Sequence, residues 1–223
     1  PALYRSPIDL PEGRSGTAEI KHRIYTNKIT IVSIREMVTR GVKPYEVTLS
    51  QPIRVHELYS DEHGQLMTDA PQELNQIADM LYNVRPKGRV LVGGLGLGVL
   101  VKTLSVRAGV DYVLVIENDP DVIKLCATKD YDVHCQDIME FIEHHSRIFD
   151  YYLLDTWQGT NEATWWDTVM PLKRAIRHHW GARPTIHCWA EDQMAWQITR
   201  QLTNSNMPEH WYYRKPFYHM SLP

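Results

Sequence analysis

Four glycines and one acid hold the most suggestive spacing in the sequence. Gly93, Gly94, Gly96 and Gly98 follow a short apolar run, Arg89-Val90-Leu91-Val92, and precede another, Val99-Leu100-Val101 to Leu104. Glycine lets the backbone take positive φ, or lie against a ligand with no Cβ in the way. A strand, a glycine loop and a helix in this order also aim free N–H groups at whatever lies above the helix start. About 20 residues on, a second β-run, Tyr112 to Ile116, ends in Glu117. An acid at the tip of the second strand is placed to bind ribose hydroxyls. The pair points to a nucleoside-containing cofactor.

Spacing narrows the choice. The dinucleotide pattern G-x-G-x-x-G would need glycine at 99 after Gly94 and Gly96, and Val99 stands there. An NAD(P)-linked oxidoreductase is disfavoured for that reason. No G-x-x-x-x-G-K-[ST] occurs, which argues against a P-loop nucleotidase.

The whole chain must be able to position such a site. Its 223 residues, 43% of them hydrophobic, suit one good-sized domain with a small appendage. No apolar run approaches the roughly 18 residues of a membrane span, so no membrane partner is expected. No basic-then-apolar leader is visible, and Cys126, Cys135 and Cys188 form no C-x-x-C. A cytoplasmic protein with reduced thiols is the expectation. The net charge of −3 gives no general pull toward nucleic acid. Histidines occur as adjacent pairs, His144-His145 and His178-His179, which do not converge on a helix; no metal site is expected.

Two regions separate along the chain. Residues 1–65 read as an irregular arm (1–18) and a small antiparallel β-unit, with runs at Lys28–Ile34, Tyr45–Leu49 and Ile53–Leu58. Residues 66–223 alternate helix and strand. A helix starts at Pro71, capped by Thr68 or Asp69, with Leu74, Ile77, Ala78 and Leu81 as its buried stripe. Strands follow at 89–92, 112–116, 131–135, 151–154 and 185–189, helices lie between them, and a closing strand or hairpin is expected at 211–219. The pattern predicts an α/β fold: a doubly wound, mostly parallel Rossmann-like sheet after a small N-terminal antiparallel β-unit. Ligands bind beyond the carboxyl ends of such strands. Three of those ends carry acids, Glu117, Asp137 and Asp155.

These residues resemble the class I S-adenosylmethionine-dependent transferases, and most closely the spermidine synthase-like branch. Val115-Ile116-Glu117-Asn118-Asp119-Pro120-Asp121-Val122-Ile123 is similar to that branch's E-x-D-x-x-V-I segment. Gln136-Asp137-Ile138-Met139-Glu140-Phe141-Ile142 and Phe149-Asp150-Tyr151-Tyr152-Leu153-Leu154-Asp155 resemble its next two motifs. The resemblance implies S-adenosyl-L-methionine as cofactor. It puts the backbone of Gly93, Gly94, Gly96 and Gly98 near the methionine part and Glu117 on the ribose. Asn118, Asp137 and Ile138 fall beside the adenine, and Asp155 at the reacting end.

Two positions depart from the branch. Leu97 stands where spermidine synthases carry an acid in the glycine loop, and Gln158 replaces the second acid after strand four. Gln158 cannot act as a base, so aminopropyl transfer is the lesser alternative. The leading expectation is a methyltransferase with a small-molecule acceptor, with Asp155, Trp157 and Gln158 at the reacting end. His187 and Glu191 are further candidate bases. A cofactor-binding module without chemistry is the remaining alternative. An exposed β-edge in the N-terminal unit would allow a homodimer.

Overall fold

The computed structural model of the chain describes residues 5–31, 43, 45–157 and 164–203. Six strands come first: β1 (Gly13–Ser15), β2 (Ala18–Tyr25), β3 (Lys28–Ile31), β4 (Tyr45–Thr48), β5 (Ile53–Ser60) and β6 (Gly64–Thr68). An antiparallel sheet takes the order β1-β2-β5-β6, and β3 pairs with β4 in a separate ribbon. The expected irregular arm over 1–18 is corrected only in its last part: residues 5–12 form no regular element, while β1 turns through Gly16 (φ 46°) into β2. Ala18 and Ile20 on β2 are buried in one cluster with Leu58 of β5, which makes that pairing worth its ordering cost. The remainder of the expected run to Ile34 lies outside the described residues.

Helix α1 (Pro71–Val84) follows, with the other helices α2 (Val99–Ser105), α3 (Pro120–Cys126), α4 (Ile138–His144), α5 (Met170–Trp180) and α6 (Glu191–Thr203). They alternate with β7 (Gly88–Gly93), β8 (Val110–Glu117), β9 (Asp132–Cys135), β10 (Tyr151–Leu154) and β11 (Thr185–Cys188). These five strands are all parallel, in the order β11-β10-β7-β8-β9. Successive side chains on a strand face opposite ways. Val90 and Val92 accordingly pack with Ile77, Leu81, Val101 and Leu104, while Leu91 packs with Ile142, Leu172 and Ile176 on the other face. The sheet is doubly wound, as expected. Its strand order reverses between β7 and β10, the place where such sheets bind ligands.

Three local expectations need correcting. Neither Thr68 nor Asp69 caps α1: its N-cap is Ala70, with no side-chain cap bond. Asp69 instead accepts hydrogen bonds from the His56 backbone N–H and from Nδ1–H, both at 2.7 Å. Burial opposes its charge, but hydrogen bonds from His56 and Ser6 hold its carboxyl below the usual carboxylate range. Of the expected α1 stripe, Ile77 and Leu81 are buried, joined by Met80. The single helix expected over 162–179 begins, within the described residues, as a π-helical turn over Trp165–Val169 before α5. Pro171 has no N–H to continue a regular ladder there. The expected hairpin at 211–219 lies outside the described residues.

The β1–β2 turn is seated on α3. Ser15 Oγ donates to Asp121 Oδ1 at 2.9 Å and the Thr17 N–H to Oδ2 at 3.1 Å. A Cβ on Gly16 would stand 2.0 Å from Asp121 Oδ2, so glycine lets the turn sit this close. Asp121→Ala should destabilise the chain modestly, because both bonds to the turn are lost at a partly exposed site. Thermal unfolding should fall by roughly 2–4 °C. An unchanged melting temperature would show that this contact does not hold the hairpin.

Candidate functional site

Beyond the carboxyl ends of β7, β8, β9 and β10 lies a cavity of about 980 Å³. Its floor is the glycine loop. Gly94 takes φ 90° and Gly96 φ 51°, conformations that L side chains seldom adopt. A Cβ on Gly94 would stand 2.2 Å from the Asp155 carbonyl oxygen, and one on Gly96 2.5 Å from Met67 Sδ. Gly93 and Gly98 do not line the cavity. A Cβ at Gly93 would meet Leu154 at 3.0 Å, and one at Gly98 would meet the Tyr131 hydroxyl at 2.7 Å, so packing explains both. Leu97 is fully buried in the core. Its N–H lies 3.3 Å from Met67 Sδ, which ties β6 to the loop.

Glu117 ends β8 and is half-buried. Its Oε2 accepts the Leu95 N–H at 2.8 Å and its Oε1 the Asp119 N–H at 2.9 Å. A carboxylate offers about four lone-pair sites, so two remain for a ribose diol. Asp137 caps α4 with Oδ1 alone, taking the Met139 and Glu140 N–H groups at 2.8 and 3.0 Å. Its second oxygen carries no bond among the described residues and is free for an exocyclic amine. Asn118, Ile138, Met139 and Gln136 complete this part of the lining.

Asp155 follows β10, its N–H bonded to the Gly93 carbonyl at 2.9 Å. It is open to the cavity yet enclosed by surrounding protein. Burial pushes its carboxyl up to about 7, and the nearby Glu73 carboxylate adds to the rise. Burial alone pushes the Glu73 carboxyl up to about 7. Trp157 and Trp189 also line the cavity; Gln158 lies outside the described residues.

The structure thus groups Gly94, Gly96, Glu117, Asn118, Asp137, Ile138, Asp155 and Trp157 around one space. His187 and Glu191 are not in its lining. His187 sits within β11 opposite Leu153. Glu191 is nearly buried, pairs with Lys173 and accepts the Cys188 N–H at 3.3 Å. Sequence reading missed Glu73 and Met67. Glu73 reads as an ordinary first-turn acid, favoured there by the helix dipole. Met67 carries no signal of its kind.

A parallel sheet wound on both faces, a glycine loop at its switch point and an acid ending the next strand make a Rossmann-like fold of the class I methyltransferase type. Within it the chain matches the family model of the methionine biosynthesis protein MetW over residues 72–222, and it belongs to that family. No protein of curated function is significantly similar to it. Among solved structures, precorrin 8W decarboxylase of Methanobacterium thermoautotrophicum is 16% identical, at TM-score 0.39, over 53% of this chain and 63% of its own. An S-adenosylmethionine-dependent methyltransferase of Clostridium acetobutylicum is 17% identical, at TM-score 0.35, over 46% of this chain and 43% of its own. The chain thus spans less than two thirds of either protein. Spermidine synthase of Thermotoga maritima is 12% identical, at TM-score 0.40, over 91% of this chain and 73% of its own. Among the described residues no helix is long and apolar enough to cross a membrane.

Proposed function

We propose that the chain binds S-adenosyl-L-methionine in this cavity and transfers its methyl group to a small-molecule acceptor. The observation that carries the reading is Glu117: its bonds to the Leu95 N–H of the loop and to the Asp119 N–H at the start of α3 leave two lone-pair sites, in a cavity that Gly94 and Gly96 also line. The donor set suits the cofactor part by part. Glu117 would hold the ribose hydroxyls and the free Asp137 oxygen the adenine amino group, with Ile138 and Met139 as apolar walls. Asp155 supplies negative charge where the sulfonium and ammonium groups must lie.

When bound, the cofactor supplies a methyl group already activated by positive sulfur. What the chain must add is mostly positioning and charge. The glycine loop lets the methionine part lie against the backbone. Asp155 fixes the cationic end in a low-water site, where such attraction exceeds its value in bulk water. Trp157 and Trp189 offer flat faces to a cation or a planar acceptor. Methyl-labelled cofactor incubated with a small-molecule extract should yield label in a new low-mass product. Label that stays in the cofactor while binding is intact would favour the module without chemistry.

The carboxyls give a sign to the pH dependence. In the free cavity Asp155 titrates at about 7, so at pH 6 it is mostly protonated and neutral. A cationic ligand favours its ionised form and lowers its pKa on binding. Affinity for the cofactor should therefore rise from pH 6 to pH 8, by about tenfold for one such carboxyl, and level off above. Calorimetry across that range checks this, and Asp155→Asn should flatten the slope. A flat profile for the unaltered chain would place the cofactor's charge away from Asp155.

A further inference from the structure

We propose that Glu73 is the proton acceptor of this site and that the acceptor molecule bears an uncharged O–H or N–H group, not an anion. The inference rests on the methyl-transfer reading and adds to it the missing base and the substrate class. Glu73 lines the cavity from the first turn of α1, on the side of β6. Among the described residues no hydrogen bond or ion pair holds its carboxyl, and Asp155 lines the same cavity, near enough for the two charges to interact. The other acids of the lining are engaged: Glu117 with the loop, Asp119 and Asp137 with helix starts, Asp121 with the β1–β2 turn.

The remaining titratable groups do not fill the role. His63 and Glu62, on the β5–β6 turn, are paired at 3.7 Å and exposed. Asp167, in the π turn, is exposed. Asp155 lies against Gly94 and serves the cofactor end. The lining contains no Lys or Arg among the described residues. An anionic acceptor would meet carboxylates and no countercharge; a neutral protic one would meet a hydrogen-bond acceptor. A carboxyl buried enough to titrate near neutrality is also a stronger base than an exposed one.

The step balances within the site. The acceptor's lone pair forms the bond to the methyl carbon, and the carbon–sulfur bond breaks with its electron pair going to sulfur. The O–H or N–H proton goes to a Glu73 carboxylate oxygen, so the positive charge lost from sulfur leaves as that proton. Glu73 thus does from α1 what Gln158 cannot do after β10.

Three probes of similar shape test the assignment: p-cresol, p-toluidine and benzoate, each with S-adenosylmethionine. Transfer to p-cresol or p-toluidine, both uncharged near neutrality, is expected, rising with pH through about 7, with none to benzoate. Glu73→Gln should lower kcat about 100-fold or more while cofactor affinity stays within about threefold; Glu73→Asp should restore part of the rate. A readout without turnover is carboxyl-carbon NMR of the ligand-free protein. Glu73→Gln should remove one titration near neutrality and lower the midpoint of Asp155. Transfer to benzoate alone, an undiminished Glu73→Gln rate, an unmoved Asp155 midpoint, or no transfer to any probe despite bound cofactor would each overturn the proposal. A chain that binds no cofactor would overturn the methyl-transfer reading itself, and the role of Glu73 with it.

Discussion

Glu117→Ala should weaken S-adenosylmethionine binding about 5- to 150-fold, which corresponds to roughly 1–3 kcal/mol for the loss of a charged hydrogen-bond partner. Two losses combine. On the proposed reading the ribose hydroxyls would lose their acceptor, and the Leu95 and Asp119 N–H groups lose the oxygens at 2.8 and 2.9 Å that tie the loop to the start of α3. Glu117→Gln separates them, because an amide keeps one accepting oxygen but no charge. It should fall between the unaltered chain and the alanine variant. Titration calorimetry reads the dissociation constants, and far-UV circular dichroism confirms that the fold survives. An unchanged constant in Glu117→Ala would remove Glu117 from the ligand site and leave it a loop support only.

Gly94→Ala should be the most damaging single methyl added to this chain. The new Cβ would stand 2.2 Å from the backbone carbonyl oxygen of Asp155, at a residue with φ 90°. A side chain could swing away; the end of β10 cannot, because the Asp155 N–H is bonded to the Gly93 carbonyl at 2.9 Å. Left-handed strain costs about 1–3 kcal/mol and overpacking a similar amount. Together they should lower the melting temperature by roughly 5–15 °C. Gly181→Ala is the control, since φ there is also positive, 61°, but nothing lies within 4 Å of the added Cβ. It should cost only the conformational part, about 1–3 kcal/mol, since φ 61° with ψ −141° is seldom adopted by L residues. Equal losses in the two variants would mean that the approach of Asp155 to Gly94 is not tight. Cofactor binding should also fail in Gly94→Ala, because Asp155 and the loop can no longer keep their spacing.

The parts of the site that follow strand ends were legible in the sequence. Gly94, Glu117 and Asp155 stand at the ends of apolar β-runs, and Asp137 follows the short β9 by two residues, so the strand pattern fixes where the chain leaves the sheet. α4 and β10 coincide with their expected bounds for the same reason. Other features were not legible because they arise between distant segments. Glu73 and Met67 reach the cavity only once β6 and α1 lie beside the glycine loop. The pairing of β2 with β5 was hidden because Ile24, on the apolar phase of β2, is 56% exposed and His22 shares that phase. Asp69 illustrates the opposite error: placed one residue before a helix cap, it spends its carboxylate on His56.

The most direct test of the central claim is calorimetric titration of the chain with S-adenosylmethionine, S-adenosylhomocysteine, decarboxylated S-adenosylmethionine and NAD in parallel. Micromolar binding of the first two and none of NAD is expected, because the glycine spacing and Glu117 suit one nucleoside beside an amino-acid tail. Preference for the decarboxylated form would contradict methyl transfer in favour of aminopropyl transfer. No binding of any of the four to a folded sample would contradict the cofactor site altogether.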